Sequence, residues 1–150
     1  MTDHAADARR IIDANVYLTL ATADAEGRPW ASPLWFAHDG YARFLWVSNP
    51  KARHSRNLAE RAQAAIVIFD STPRQGVPEA VYVEAEAEQV GEADDERWIG
   101  VFSRRSEALG WPAWSVEDVR PPAVLRLYLA TATAHFALGP NDERIAVDLG

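Results

Sequence analysis

The chain has 150 residues, no cysteine and a formal net charge of −7, which excludes disulfides and a generally basic surface for nucleic acid. Its 48% hydrophobic and 25% charged residues fit one globular domain, residues 1–150. No apolar run approaches the roughly 18 residues of a membrane span, and the first residues lack an apolar secretory core. We therefore expect a cytoplasmic protein with no nucleic-acid or membrane partner.

Periodicity and turn signals divide the chain into helices and strands. Amphipathic patterns predict helices over 3–14 and 93–109, and Asn49-Pro50 opens a shorter helix that Ser48 or Asn49 would cap. Runs rich in β-branched and aromatic residues predict strands over 16–23, 30–38, 42–48, 64–70, 80–90, 124–130 and 132–138, with a short strand or a frayed end over 142–150.

The apolar positions indicate which faces of these elements lie in the core. Ala6, Ile11 and Ile12 form the predicted stripe of the first helix. Along 80–90, apolar residues alternate with three glutamates, so we expect one face in the core and one in water. Pro33 cannot donate to a strand ladder, which predicts a sheet edge or a bulge at that point.

The segment between the third and fourth strands, 48–58, has the sequence SNPKARHSRNL. It places Lys51, Arg53, His54 and Arg56 within six positions of an acidic chain. A helix start offers free backbone N–H groups and the positive end of the helix dipole. Together with arginine and serine side chains it makes an anion site, typically for a phosphate. A solvated surface helix with scattered arginines is the alternative that spacing alone leaves open.

The order of elements predicts the fold class. It is a helix, three strands, a short helix, two strands, a helix, and two or three strands. Closely spaced strands joined by hairpin turns pair antiparallel and do not form a doubly wound parallel sheet. About seven strands with helices packed at the ends predict a mainly β fold, a small Greek-key or split β-barrel.

This order, with WVSNPKARHSRNL followed by AIVIFDS, resembles the pyridoxamine 5′-phosphate oxidase-like FMN-binding split-barrel family. The stretches TLATADAEGRPWASPLWF, RQGVPEAVYVEAEAE and VFSRRSEALGWPAWSVEDVRPPAVLRLYLATA extend the resemblance over nearly the whole chain. It implies a homodimer with two FMN molecules in clefts between the subunits. It also implies a flavin that performs the redox chemistry on a small-molecule substrate. Six tryptophans and five phenylalanines are typical of a chain with such an interface.

The resemblance further implies roles for individual residues. Arg53, His54, Ser55 and Asn57 stand where the family binds the flavin phosphate. The residues expected along the isoalloxazine ring are Pro33, Leu34, Trp35 and Phe36, with Val47 and Ser48 nearby, Gln75 and Gly76 from the next loop, and Tyr128 from the final strands. Trp35 and Phe36 lie on opposite faces of a strand, so we expect one of them in the core. For His54, a position on the helix surface is the alternative.

Departures from the family pattern argue against pyridoxal phosphate synthesis. True pyridoxine-phosphate oxidases carry a basic residue late in the second strand, near Phe36 of this chain, and a basic C-terminal motif where this chain has ATATAHFAL. The segment 103–106, SRRS, resembles the family's substrate-phosphate stretch at a different spacing, and the family's phosphate-loop lysine is His54 here. We therefore expect an FMN-dependent oxidoreductase of unknown substrate.

The sequence leaves three other functions open. One is a deazaflavin-dependent reductase on the same fold, and another is a flavin-binding or sensing protein without turnover. The third is a haem-handling protein, for which the available imidazoles are His4, His38, His54 and His135. No acid–base or nucleophile constellation is visible in the sequence, which suits a reaction carried by a cofactor.

Overall fold

The computed structural model describes residues 2–72 and 76–150. Its helices are α1 (His4–Ala14), α2 (Arg53–Glu60) and α3 (Asp95–Ala108). Its strands are β1 (Tyr17–Ala23), β2 (Pro29–Trp35), β3 (Ala37–Asp39), β4 (Arg43–Ser48), β5 (Gln63–Ile68), β6 (Val81–Gln89), β7 (Arg126–Leu138) and β8 (Arg144–Val147). No helix in the described ranges is long and apolar enough to cross a membrane.

The strands form one antiparallel sheet with the order β2–β1–β5–β6–β7–β4–β3, and β8 pairs with β7. β2 and β3 lie at opposite ends of this order, although only Phe36 separates them in the chain. The sheet must therefore curl until its two ends meet, which produces the expected mainly β split barrel. Among the described strands no ladder joins β2 to β4, so the barrel wall has a gap between them.

The strand predicted over 30–38 is two strands, because the chain leaves one sheet edge and joins the other within it. Phe36 lies at this change, and its N–H donates to the carbonyl of Val16 at 3.1 Å. Pro33 lies in the edge strand β2, as its missing N–H predicts.

The strands predicted over 124–130 and 132–138 are a single strand, β7, and the predicted division was wrong. Thr133 is an extra residue opposite β6, and its hydroxyl donates to the carbonyl of Glu84 at 3.1 Å. A β-bulge of this kind bends a strand without ending it. The strand pattern of the sequence is interrupted at this point. It does not reveal that the same strand, β6, pairs with the chain on both sides of the interruption.

The core has two parts on the two sides of the barrel wall. Inward side chains of the strands fill the barrel, among them Leu18, Leu20, Phe44, Trp46, Ile66, Val81 and Val83. A second cluster lies between the wall and α3, and contains Ala37, Leu45, Trp98, Ile99, Phe102 and Leu127. β4 contributes to both, which explains its continuous apolar run, since a strand covered on both faces has no polar side.

α1 begins at His4 and is capped by Asp3, whose carboxylate accepts a hydrogen bond from the Ala6 N–H at 3.0 Å, a typical N-cap. Its buried residues are Ala8, Ile11 and Ile12. The prediction that Ala6 belongs to this stripe was wrong, since Ala6 is exposed. Ala8 lies three and four positions before the two isoleucines, which places all three on one helix face.

Three polar side chains tie the end of α1 to the β3–β4 hairpin. The Asp13 carboxylate accepts the Tyr41 hydroxyl at 2.7 Å and lies 2.8 Å from His38 Nε2. The hydrogen bond to the Asp13 carboxylate raises the pKa of the Tyr41 hydroxyl. Gly40 and Tyr41 of the connecting turn both have positive φ, 58° and 61°, a region that glycine adopts without steric cost and tyrosine does not. Asp13 thus anchors a residue whose backbone is in a costly conformation.

Replacing Tyr41 with Phe should therefore destabilise the protein. The change removes the bond to Asp13 and leaves the ring, so we expect a loss of about 1 kcal/mol in the free energy of unfolding. Urea titration measures this loss. Tyr17→Phe is the matched control, because Tyr17 is 58% exposed and its hydroxyl makes no hydrogen bond to residues 2–72 or 76–150. Equal midpoints for the two variants would show that the Asp13 contact contributes nothing.

Candidate functional site

The basic segment begins with a turn and not with a capped helix. The Ala52 N–H donates to the Asn49 carbonyl at 3.0 Å, and the Asn49 side chain accepts the Lys51 N–H at 2.9 Å. α2 therefore starts at Arg53, with Ala52 at the N-cap and no side-chain cap. The prediction that Ser48 or Asn49 caps the helix was wrong. Asn49 binds its own turn instead, which is the usual competing use of an Asn side chain.

The absence of a side-chain cap leaves the start of α2 available to a ligand. The first N–H groups of a helix have no intrahelical acceptor, and the cap position here supplies none from its side chain. These donors lie in the middle of the basic segment, so the backbone and the side chains favour the same kind of ligand, an anion.

Arg53 extends from the first turn of α2 across Trp30 of β2. Its guanidinium carbon lies 4.3 Å from the centre of the indole ring, a cation–π contact. Trp30 is 42% exposed, so the pair lies at the surface. In the described part of the chain, neither Arg53 nor the neighbouring exposed Lys51 and Arg56 has an ion pair. Their charge is therefore not neutralised within the chain.

His54 lies over the gap between β2 and β4. Its Nε2 is 2.9 Å from the Ser48 hydroxyl, and its Nδ1 is 3.3 Å from the Ser32 hydroxyl. Both serines are buried. Burial lowers the pKa of His54 from its ordinary value of 6.5, because the charged imidazolium loses water. The structure places His54 at the site as expected, but as a hydrogen-bonded and weakly basic group.

Ser55 and Asn57 point away from the surface of the segment. Asn57 is buried, and its Nδ2 donates to the Thr22 hydroxyl of β1 at 3.0 Å. Ser55 is 3% exposed, and its hydroxyl has no hydrogen-bond partner among the described residues. The structure thus brings Arg53 to the outer side of α2, and uses His54 and Asn57 to hold the helix on the barrel.

The four residues predicted along the ring alternate between the two faces of the barrel wall. Pro33 is exposed on the outer face. Leu34 and Phe36 pack with the barrel core, so their side chains are already engaged. Trp35 lies on the outer side, where its ring stacks on Phe102 at 4.2 Å. Of these two residues, Phe36 therefore lies in the barrel core, and α3 covers much of Trp35.

The remaining predicted residues fall into three places. Val47 packs with the second core cluster, under α3. Tyr128 is buried inside the barrel, where its ring lies parallel to Trp46 at 6.1 Å. Gly76 is exposed with a φ of 69°, and Gln75 lies outside the described residues.

The stretch 103–106 does not gather into one anion site. The Ser103 and Ser106 hydroxyls are used to hold the following loop, through the Trp114 N–H at 2.8 Å and the Pro112 carbonyl at 2.6 Å. Arg104 is exposed, whereas Arg105 is half-buried and donates to the Asn15 carbonyl at 3.4 Å. The two arginines therefore lie in different environments.

Sequence reasoning missed Trp30, Ser32 and Thr22. Each lies on the inward-facing side of its strand, in register with a residue of the neighbouring strand: Thr22 with Trp30, and Leu20 with Ser32. The sequence signal that could have identified two of them is a polar residue, Ser32 or Thr22, at a position where an otherwise apolar strand faces the core. A buried hydroxyl needs a partner, and here the partners come from α2.

His38 and His54 are poorly placed to ligate a haem iron or a metal ion. Both have their two ring nitrogens in hydrogen bonds, whereas His135 uses only Nε2, which lies 2.7 Å from the Tyr41 carbonyl. A metal needs an unengaged imidazole nitrogen. Within residues 2–72 and 76–150, no group of three or more His, Asp or Glu side chains could hold a metal ion. The unpaired charges of the basic segment are cationic, so they suit an anionic group of a ligand.

The family model described as pyridoxamine 5′-phosphate oxidase matches residues 5–136. The chain belongs to this family. The match runs from α1 into β7 and so includes the basic segment, the gap and most of both core clusters. It confirms the resemblance inferred from the sequence.

Two curated relatives have different activities in their names. A pyridoxine/pyridoxamine 5′-phosphate oxidase of Azorhizobium caulinodans is 27% identical over 123 residues, 81% of this chain and 56% of that protein. Heme oxygenase HutZ of Vibrio cholerae is 34% identical over 96 residues, 62% of this chain and 53% of that protein. The chain thus spans about half the length of each relative.

Solved structures share the fold. A heme binding protein from Mycobacterium smegmatis superposes with a TM-score of 0.75 at 20% identity, over 99% of this chain and 59% of that one. An F420 reductase gives a TM-score of 0.61 at 19% identity, over 85% of this chain and 94% of that one. At this level of identity the likeness establishes the split barrel and leaves the ligand open.

The placement of Asn57 predicts a structural role that can be tested separately. Asn57→Ala leaves the buried Thr22 hydroxyl without its donor, so we expect a loss of about 1–3 kcal/mol in the free energy of unfolding. The neighbouring exposed Arg56→Ala should change it by less than about 0.5 kcal/mol. Chemical denaturation of both variants measures the difference. If Asn57→Ala is as stable as Arg56→Ala, the bond to Thr22 is not what holds α2.

Proposed function

We propose that this chain binds FMN at the start of α2 and uses it as an oxidoreductase acting on a small molecule. The observation that carries the proposal is the uncompensated positive charge of Lys51, Arg53 and Arg56 at an uncapped helix start. The whole chain has a formal net charge of −7, so this charge runs against the trend of the protein.

A terminal phosphate is the chemical group that suits this end of α2. It can accept the free N–H groups of the first turn and charge-assisted hydrogen bonds from a guanidinium. Arg53 is partly pre-organised for this task, because its stacking on Trp30 limits the orientations of its long side chain. Its N–H groups stay available in the plane of the guanidinium while the face contacts the ring.

The outer face of β2 is the surface proposed for the flavin ring. It presents Pro29, Ala31 and Pro33, small or rigid apolar residues that are exposed. Such a wall suits one side of a planar ring. When bound, FMN would supply the electron and hydride transfer, and the protein would supply binding and orientation.

We further propose a homodimer that forms through the outer face of the sheet. One row of in-register neighbours crosses this face on five adjacent strands: Pro33, Thr19, Val67, Tyr82 and Phe136. A hollow of about 460 Å³ follows part of this row. Tyr17 and Phe69, exposed by 58% and 48%, lie at its margin. Exposed aromatic and apolar area of this kind is typical of interfaces, and a dimer here would bring a second chain close to β2.

A deazaflavin-dependent reductase and a flavin-binding protein without turnover are the alternatives. The absorption spectrum of the purified protein separates FMN from a deazaflavin. A bound flavin that no nicotinamide donor reduces would favour a binding or sensing role. Oxidation of pyridoxamine 5′-phosphate at an ordinary enzymatic rate would contradict our expectation that this is not the substrate.

Arg53→Ala should weaken FMN binding and leave riboflavin binding nearly unchanged. Riboflavin lacks the phosphate, and a charge-assisted hydrogen bond contributes about 1.5–3 kcal/mol, so FMN affinity should fall by roughly ten- to a hundredfold. Titration of the apo-protein with each ligand measures both effects.

Arg97→Ala is the matched control for this titration. Arg97 is also an exposed arginine stacked on a tryptophan, 4.2 Å from the ring of Trp98, but it lies on α3. It should leave both affinities unchanged. Equal losses of FMN and riboflavin in Arg53→Ala would assign the arginine to the fold, and failure of the parent to bind any flavin would overturn the proposed function.

The dimer can be tested by introducing the same change, alanine to aspartate, at either of two surface positions. Ala65 is exposed on the outer sheet face, in register with Ala21 of β1, and Ala65→Asp would bury a charge in the proposed interface at high cost. We expect light scattering to show a dimer for the parent and a monomer for this variant. Ala108→Asp, at an exposed position on α3, should remain dimeric. A monomeric parent at micromolar concentration would contradict the interface.

A further inference from the structure

His54 joins the two strands that the sheet itself leaves unconnected. The barrel wall is open between β2 and β4, where the described strands have no common ladder. The imidazole reaches Ser48, the last residue of β4, at 2.9 Å and Ser32, in the middle of β2, at 3.3 Å. α2 is thereby attached to both sides of the opening one residue after Arg53.

We propose that His54 is a positioning residue whose imidazole bridges Ser32 and Ser48 and so holds the first turn of α2, with Arg53, in the place where it meets the phosphate. The proposal rests on the proposed function for the identity of the ligand, and on the hydrogen bonds alone for the bridge. It differs from the simpler expectation that His54 is itself a cationic ligand of the phosphate.

The chemistry of the three groups suits a bridge formed by an uncharged ring. Neutral imidazole has one nitrogen that donates and one that accepts. A serine hydroxyl can do either, so both serines are satisfied with either tautomer. Burial lowers the pKa of His54, which keeps the ring uncharged near neutral pH. The surroundings therefore favour the form that the bridge uses.

The same bonds leave the ring unable to serve a phosphate directly. Both nitrogens are engaged, so contact with a ligand would require that one serine lose its partner. Ser32 and Ser48 are buried, and an unpaired buried hydroxyl costs free energy. The positive charge must then come from Arg53 and its exposed neighbours.

The first experiment compares the removal of the ring with the removal of its partners. His54→Ala should lower FMN affinity by about tenfold, since about 1.4 kcal/mol of lost positioning corresponds to that factor, with a smaller effect on riboflavin. Ser32→Ala/Ser48→Ala, which keeps the imidazole, should give a similar loss. Adding His54→Ala to the serine pair should produce little further loss, because both changes remove the same bridge. Full additivity would overturn the proposal.

The pH dependence of FMN binding separates a bridge from a cation. His54→Gln keeps a donor and an acceptor but cannot be protonated in this range. Parent and His54→Gln should show the same change in FMN affinity from about pH 5.5 to about pH 8, across the ordinary imidazole pKa, because the ionisation of FMN is common to both. An additional gain of affinity at low pH in the parent alone would show a cationic ligand and overturn the bridge.

Two measurements on the flavin-free protein keep the bridge testable whatever ligand binds. Nitrogen NMR of the His54 ring should show an uncharged imidazole near neutral pH. Amide hydrogen exchange over 53–60 should be faster in His54→Ala and in Ser48→Ala than in the parent. Unchanged exchange in both variants would overturn the proposal, even if the parent binds FMN. Absence of flavin binding together with faster exchange would overturn the proposed function and leave the bridge in place.

Discussion

The barrel depends on one short passage of chain, the step from β2 to β3 at Phe36. This residue separates two strands that lie at opposite ends of the sheet order. The sheet can have these two strands at its opposite edges and still connect them through one residue only if it closes on itself. The closure is incomplete because β2 and β4 share no ladder in the described structure. Phe36 fills the interior on the barrel side, so the passage is fixed by packing as well as by connectivity.

The gap that results is where the polar groups of the candidate site collect. A barrel wall with paired strands has few unsatisfied groups to offer, because its backbone is consumed by the ladders. At the gap, hydroxyls of β1, β2 and β4 face inward at Thr22, Ser32 and Ser48, and side chains of α2 satisfy them. The helix is therefore held by specific hydrogen bonds at its inner side, while its outer side is free to carry charge.

Charge and packing are divided between neighbouring residues of α2. Asn57 faces the barrel and is buried, whereas Arg53 and Arg56 are exposed. This division allows a small change at a structural position to alter the geometry of the cationic ones without a change in charge. The two curated relatives differ in the activity that their names give, a pyridoxine/pyridoxamine 5′-phosphate oxidase and a heme oxygenase, so the shared fold does not by itself fix the ligand.

The sequence by itself determined most of the order of elements, their antiparallel pairing and the basic segment near a helix start, which follow from local signals, periodicity and turn residues. Between a Greek-key and a split barrel, its resemblance to the family favoured the split barrel. Only the tertiary structure decided that the strand over 30–38 divides at Phe36, that β7 continues through Thr133, and that Asn49 binds its own turn. Each depends on which strand or carbonyl lies opposite, and spacing along the chain does not contain that information. The same holds for His54, whose partners lie 6 and 22 positions away in sequence and meet only because the barrel closes around the gap.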